Sequence, residues 1–402
     1  MALLGCAAAR AQLVPDSQDF AIIERGRYLA TVADCAACHT DPATKQPFAG
    51  GQPIETPFGI VRAANITPDA QTGIGNWSDD DFDAAVRRGR MPDGGHLYPA
   101  MPYPYFARMS KDDVLAMRAY LRTVPAVYNP VKTDQLPFPL SIRAGMALWN
   151  ALYFEPGEFE PDAGQSAQWN RGAYLVRGPG HCGACHTPKT FLGGDKSDRR
   201  LEGYAIQGWF APNINGGNGG IANWSVTDIA EYLQKGHNRF AAASGPMQEV
   251  VERSGSQMTS GDVEAIATYL EQQHSEGAGG SATVVAANDP RMAAGSAIYT
   301  DLCSACHKKD GSGVAYLIPN LAGAASVAAR DPTSVLRVLI SGAQSAATAA
   351  EPTAPAMPAY GRQLNDAQIA AVATYVRNSW GHASTPVSAG EVGKQRKRLS
   401  AD

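Results

Sequence analysis

The chain has 402 residues, is 44% hydrophobic and 18% charged, and carries a formal net charge of −4. Its length points to roughly two to four domains, and its mild charge excludes nucleic acid as a partner. Forty-one Gly and twenty-seven Pro imply long loops between short elements.

The N-terminal stretch Met1-Ala2-Leu3-Leu4-Gly5-Cys6 is apolar but too short for a complete secretory leader with a basic start. Ala9-Arg10-Ala11 has the small-x-small form of a cleavage site. Residues 1–11 therefore read as the end of a signal peptide that begins further upstream. In the alternative reading Leu3-Leu4-Gly5-Cys6 is a lipobox and Cys6 carries a lipid.

From residue 19 the chain repeats itself. The first unit, 19–130, opens with a predicted helix Phe20–Val32 that contains Arg25-Gly26-Arg27-Tyr28-Leu29 and runs into Cys35-Ala36-Ala37-Cys38-His39. The second, 166–276, carries Arg171-Gly172-Ala173-Tyr174-Leu175 and then Cys182-Gly183-Ala184-Cys185-His186. The third, 291–380, has the looser Ala294-Gly295-Ser296-Ala297-Ile298 before Cys303-Ser304-Ala305-Cys306-His307. Each unit closes with a helix, predicted over 111–123, 260–272 and 365–378. The apolar positions fall at helical spacing: Val114, Met117, Leu121; Val263, Ile266, Leu270; Ile369, Val372, Val376. Acidic residues near each start suit the helix dipole. The glycine of each opening helix lets the closing helix cross closely beside Tyr120, Tyr269 or Tyr375.

Units one and two share a further passage. Asn65-Ile66-Thr67-Pro68 leads to Asn76-Trp77-Ser78 and a helix Asp79–Arg88, while Asn213-Ile214 leads to Asn223-Trp224-Ser225 and a helix Val226–Lys235. Ser78 and Ser225 are N-cap candidates. Trp77 and Trp224 are either core aromatics or indole donors to an acidic group of a cofactor.

Two linkers stand out. Residues 131–165 are proline-rich, with the apolar run Leu136-Pro137-Phe138-Pro139-Leu140 and a short amphipathic segment over 142–154, expected to pack between domains unless its apolar face is exposed. Residues 277–290 read as a flexible tether. The polar tail, 381–402, is basic and expected to be disordered. No window is long and apolar enough for a transmembrane helix.

Two cysteines flanking two residues, with histidine next, form the attachment pattern of c-type haem. The sulfurs become thioethers on the vinyl groups, and the histidine supplies an axial nitrogen to iron. A zinc knuckle needs a second Cys/His pair close by, and a thioredoxin-like site needs a βαβ setting; neither is present. Three such motifs predict three covalent haems, attached at Cys35/Cys38, Cys182/Cys185 and Cys303/Cys306, with His39, His186 and His307 as proximal ligands. Six of the seven cysteines are used in this way, so no internal disulfide remains. The chemistry places the protein in the periplasm.

The sixth ligand decides whether such a haem is open or closed. Each unit places a methionine in a proline-flanked loop before its closing helix: Pro99-Ala100-Met101-Pro102, Gly245-Pro246-Met247 and Pro355-Ala356-Met357-Pro358. Met101, Met247 and Met357 are the predicted sixth ligands, since thioether sulfur favours reduced iron and raises the potential. Met91, Met109 and Met258 fit core positions better. His96 and His237 are competing ligands, and His181 is too near Cys182 to cross the haem plane.

At these residues the chain resembles a known family. Gly50-Gly51, Asn65-Ile66-Thr67-Pro68, Gly73-Ile74-Gly75, Tyr98-Pro99-Ala100-Met101-Pro102-Tyr103-Pro104, Gly208-Trp209-Phe210-Ala211-Pro212 and Ala242-Ala243-Ser244-Gly245-Pro246-Met247 resemble the tri-haem cytochrome c subunits of bacterial membrane-associated dehydrogenases. The resemblance spans about residues 20–380. It implies an all-α fold of three tandem class I cytochrome c domains. It also implies a catalytic partner of flavin, quinone or molybdopterin type that oxidises an alcohol, aldehyde or sugar, with a small third subunit in some complexes. Electrons would pass to ubiquinone or a terminal oxidase at the periplasmic face of the inner membrane. Members that end in a hydrophobic membrane-holding segment differ from this chain, whose end is polar and basic. A free periplasmic carrier and a multi-haem peroxidase are the competing functions. Three closed haems, and the want of a Gly-x-Gly-x-x-Gly after a strand to hold a flavin or nicotinamide, argue for an electron-transfer subunit with no catalytic site of its own.

Overall fold

The computed structural model of the chain describes residues 19–133, 136–216, 220–273, 285–286 and 288–400. The leader reading of residues 1–11, Cys6 and most of the 277–290 tether lie outside them.

Three helix pairs organise the chain. Phe20–Val32 crosses Lys111–Leu121, Ala167–Arg177 crosses Ser260–Glu271, and Pro290–Leu302 crosses Asp366–Val376. All nine apolar residues picked out by periodicity in the closing helices are buried, each contributing roughly 1.5–3 kcal/mol of burial. Each pair sits within its own hydrophobic core. The first centres on Leu29, Val114 and Met117, the second on Leu175, Val263 and Ile266, and the third on Tyr299, Ile369 and Val372.

The crossings are possible because three glycines lie at them. A Cβ on Gly26 would stand 1.8 Å from the Ala116 carbonyl oxygen, one on Gly172 1.9 Å from that of Ala265, and one on Gly295 2.3 Å from that of Ala371. Tyr269 and Tyr375 flank the second and third crossings, their Cβ atoms 2.8 and 2.6 Å from the same added carbons. Backbone meets backbone, and no side chain larger than hydrogen fits.

The caps explain where the helices start. Ser110 accepts from the Asp113 amide and Thr259 from that of Asp262. Asn365, expected as the first residue of the third closing helix, is instead its cap, in a capping box with Gln368. Ser78 and Ser225 cap Asp79–Arg88 and Val226–Lys235 through boxes with Asp81 and Asp228, and Gly89 (φ 61°) and Gly236 (φ 82°) end those helices in the left-handed region.

Each unit also carries a two-stranded antiparallel hairpin that helical periodicity does not announce. Pro53–Thr56 pairs with Gly59–Arg62, Tyr204–Ile206 with Trp209–Ala211, and Ala343–Gln344 with Ala356–Met357.

Two expectations about the connecting segments change. The tail is not disordered: Ala389–Leu399 is a helix capped by Ser388 and Glu391, with Val392 fully buried. Arg396 pairs with Asp366 at 2.9 Å, and Gln395 donates to the Gly208 carbonyl at 3.2 Å. The run of Lys and Arg concealed a short apolar stripe that packs on the third core. The first linker packs with only one side of its helix, Met146–Tyr153. Asn150 accepts from the Tyr103 hydroxyl at 2.6 Å, and the Trp149 indole donates to the Leu192 carbonyl at 2.9 Å. Leu148 and Leu152, on the other side, are 68% and 58% exposed, and Phe138 in the same linker is 81% exposed.

Gly172→Ala is expected to destabilise the second unit by about 2 kcal/mol, because the added carbon meets main chain that cannot rotate away. Gly261→Ala, with open space around its added carbon, serves as the control. Denaturant unfolding of both variants checks this, and equal midpoints would refute the crossing argument.

Candidate haem sites

Each opening helix delivers its chain directly into a short helical turn that carries the Cys-x-x-Cys-His residues: Cys35–His39, Gly183–His186 and Ser304–His307. The turn brings each histidine beneath a loop carbonyl. His39 Nδ1 donates to the Ala64 carbonyl at 2.7 Å, His186 Nδ1 to that of Pro212 at 2.7 Å, and His307 Nδ1 to that of Pro319 at 3.1 Å. A carbonyl only accepts, so the proton is on Nδ1 and the Nε2 lone pair is free for a metal. Burial lowers all three histidine pKa values, against the opposing pull of the carbonyl, and keeps the rings neutral.

Burial acts on the thiols in the opposite sense. It pushes Cys35, Cys38 and Cys182 up to about 12 and Cys303 up to about 11. These sulfurs are protonated at neutral pH, poor thiolate ligands and slow in disulfide exchange. All six motif cysteines are unpaired. Among the described residues no group of three or more His, Cys, Asp or Glu could hold a metal by itself.

A cavity of about 1450 Å³ is lined by Cys35, Cys38, His39 and Met101, which the fold thus brings together. Cys185 lines the same cavity, but His186 and Met247 do not. Met247 lies in the first turn of Pro246–Arg253 and packs against Ala243, Val251 and Ala346. Met357 lies in the last hairpin strand, against the third core. The competing methionines Met109 and Met258 are buried in the first and second cores. His96 is engaged through Nδ1 with the Asn150 amide at 3.2 Å. His181 is held against the Phe106 ring, 5.6 Å between centroids. His237 is buried, its Nδ1 without a partner among the described residues and its Nε2 3.9 Å from Glu351.

Trp224 stacks on Phe240 at 5.9 Å, and its buried indole nitrogen has no partner among the described residues, as a donor awaiting a non-protein acceptor would. Trp77 packs in the first core, its carbonyl taking a hydrogen bond from the buried Arg118, which also pairs with Asp79 at 2.7 Å. The free Nε2 atoms, the unpaired thiols, the cavity and the orphan indole together fit haem.

The loop carbonyls are the part that motif reading missed, although a signal exists. Ala64, Pro212 and Pro319 each precede an asparagine: Asn65, Asn213 and Asn320. Those side chains accept from the Thr67, Asn215 and Gly323 amides, curling each loop so that the carbonyl before the asparagine faces the histidine.

This combination defines the class as a helical cytochrome of the c type. Residues 23–125 and 292–380 match the cytochrome c family model. The chain is similar to the gluconate 2-dehydrogenase cytochrome c subunit of Pantoea cypripedii, 40% identical over 410 residues, covering 96% of this chain and 92% of the relative. It is 39% identical over 401 residues to the alcohol dehydrogenase (quinone) cytochrome c subunit of Gluconacetobacter polyoxogenes, covering 95% and 85% of the two chains. It is 38% identical over 403 residues to the fructose dehydrogenase cytochrome subunit of Gluconobacter japonicus, covering 93% and 82%. The chain belongs to the cytochrome c family, among the cytochrome c subunits that these relatives represent, and covalently bound haem c is the cofactor of that family. No helix among the described residues is long and apolar enough to cross a membrane.

Asp34, immediately before Cys35, is held in the left-handed region (φ 49°) with Oδ1 buried and unpartnered. Burial first, and then the nearby Glu249 carboxylate, push its carboxyl up to about 8. The native state therefore keeps a proton that the unfolded chain releases near pH 4, and stability attributable to this group falls as pH rises from about 4 to about 8. Thermal unfolding at pH 5 and pH 8 should show the wild type losing ground to Asp34→Asn at the higher pH. A constant difference between the two proteins would contradict this.

Proposed function

We propose that the chain is the electron-transfer subunit of a membrane-associated dehydrogenase complex and binds three haems c. The observation that carries this is the threefold arrangement of a Cys-x-x-Cys-His turn with its histidine Nδ1 tied to a backbone carbonyl. In this reading Cys35/Cys38, Cys182/Cys185 and Cys303/Cys306 anchor the groups in domains 19–130, 166–276 and 291–380. His39, His186 and His307, with Nε2 free, would ligate the iron, and Met101, Met247 and Met357 would supply the second ligands. When bound, haem supplies one-electron chemistry at a potential raised by methionine ligation. The protein's part would be to keep each histidine neutral with Nε2 free, to offer a methionine sulfur as second ligand, and to exclude water.

The donor in this proposal is a catalytic dehydrogenase subunit acting on an alcohol, aldehyde or sugar, with a flavin, quinone or molybdopterin cofactor. The acceptor is ubiquinone or a downstream respiratory component, reached on the periplasmic side of the inner membrane. The names of the relatives support a catalytic partner.

The pyridine haemochrome assay should return three haems per chain, and replacing Cys303 and Cys306 by Ala should remove one. A stoichiometry of two in the wild type would sink the threefold reading. Met101→Ala, Met247→Ala and Met357→Ala should each weaken the near-infrared methionine-to-iron band of the oxidised protein and lower one reduction potential. Without that band in the wild type, His96 or His237 would replace methionine as the ligand.

The purified chain should oxidise no alcohol, aldehyde or sugar, yet its haem absorbance should report reduction once the catalytic subunit and its substrate are added. Reduction of the isolated chain by substrate would move the active site onto this polypeptide.

A further inference from the structure

The opening and closing helices of units one and two exchange partners. Asp113 and Asp262 are each the third residue of a closing helix. Arg25 pairs with Asp113 of its own unit at 2.5 Å, and Arg171 with Asp262 of its own unit at 2.7 Å. The tyrosines cross over. Tyr28 of unit one donates to Asp262 of unit two at 2.6 Å, and Tyr174 of unit two donates to Asp113 of unit one. One helix cap follows: the Thr259 amide donates to the Tyr28 hydroxyl at 3.3 Å. The two halves are thus related by an approximate twofold axis, each carboxylate holding its own arginine and its neighbour's phenol.

Unit three has none of this chemistry. Set on the crossing glycine, Ala294 stands where Arg25 and Arg171 stand, and Ala297 where the tyrosines stand. The third residue of its closing helix is Gln368. The exchange is therefore specific to one pair of units.

The pair also brings two attachment segments together. The Tyr105 ring, four residues beyond Met101, lies against Gly183 inside the second Cys-x-x-Cys-His motif, where a Cβ would sit 2.8 Å from Tyr105 Cε1. Phe106 packs on His181, the residue before Cys182. Lys189 donates to the Gly183 carbonyl at 3.0 Å, and Tyr105 donates to Asp195, which also holds Lys189. The methionine loop of the first site is thus in van der Waals contact with the attachment turn of the second.

We propose that Tyr28, Tyr174, Asp113 and Asp262 form a reciprocal clasp that locks units one and two into one rigid di-haem body and holds Tyr105 against Gly183 as the route between the first two haems. The electron path rests on the functional reading above; the clasp itself rests on the hydrogen bonds alone. The clasp residues touch no reacting atom, so they are positioning residues. Each hydroxyl is replaceable at little steric cost by Tyr→Phe, and loss of one leaves a buried carboxylate still paired with its arginine.

The test uses the full holo chain and the variant Tyr28→Phe/Tyr174→Phe, with each single variant beside it. Haem content and the near-infrared band are expected to match the wild type. After photoreduction of a fraction of the haems, equilibration between the first and second haems should slow several-fold at unchanged potentials, while exchange with the third keeps its rate. Thermal unfolding of units one and two, one transition in the wild type, should split into two, and each single variant should fall between. An unchanged equilibration rate together with a single transition would overturn the clasp. A split transition with an unchanged rate would overturn Tyr105 as the route and keep the clasp. Absence of haem from either of the first two motifs in the wild type would overturn the functional reading and the route, with the unfolding data still deciding the clasp.

Discussion

The fold depends on three places where a side chain is missing. At Gly26, Gly172 and Gly295 the opening helix lies against the backbone of the closing helix, with the facing carbonyl about where a Cβ would be. That contact fixes the angle and height at which the opening helix ends, and the attachment turn follows almost at once: Val32 precedes Cys35, Arg177 precedes Cys182, and Leu302 adjoins Cys303. The long loops then have one demanding task, to return a single carbonyl to the histidine. The asparagine turns at Asn65, Asn213 and Asn320 accomplish it locally. Rigid crossing and local turn together supplement the small hydrophobic core of each loop-rich unit.

One physical cause prepares both halves of each attachment motif. Removing water disfavours charge of either sign. It lowers the histidine pKa values and raises those of the thiols. Neutral imidazole is the form that ligates a metal, and a protonated, unpaired thiol is kept from competing metals and stray disulfides. The carbonyl bond at Nδ1 adds what burial cannot, a direction. An imidazole that was neutral but free to flip would offer either nitrogen; with Nδ1–H committed to Ala64, Pro212 or Pro319, only Nε2 is offered.

Much of this was legible in the sequence because the motifs are local and repeated. The Cys-x-x-Cys-His turns, the apolar stripe of each closing helix, the caps at Ser78 and Ser225 and the crossing glycines follow from spacing within a few residues. What was not legible depends on partners far apart in sequence. The carbonyl under His39 belongs to Ala64, and nothing in the identity of an alanine announces a backbone role. Tyr28 reads as an ordinary amphipathic helix residue, and its acceptor Asp262 lies 234 residues away. The tail misled for a different reason: Val392 and Leu399 are too sparse to outweigh the basic residues around them, until the third core offers them a surface.

The second unit differs from its neighbours in what it presents to each. To unit one it offers its opening and closing helices, through Tyr174 and Asp262. To unit three it offers other elements. Ser334 bonds to both the amide and the carbonyl of Phe210, at 2.8 and 3.1 Å, Gln395 reaches Gly208, and Glu252 accepts from the Ala347 amide at 2.9 Å. The helix Pro246–Arg253 serves both neighbours: Glu249 lies near Asp34 of unit one, and Ser254, just beyond the helix, donates to the Val32 carbonyl at 3.1 Å. The clasp to unit one is built from charged and phenolic side chains, the contacts to unit three largely from hydrogen bonds to backbone. A side-chain clasp is sensitive to single substitutions, whereas backbone contacts tolerate sequence change. A repeat placed between two others must be approachable by both at once, and unit two meets that requirement with its helix pair toward unit one, its hairpin toward unit three, and the Pro246–Arg253 helix in contact with both. Chain order thereby becomes spatial order.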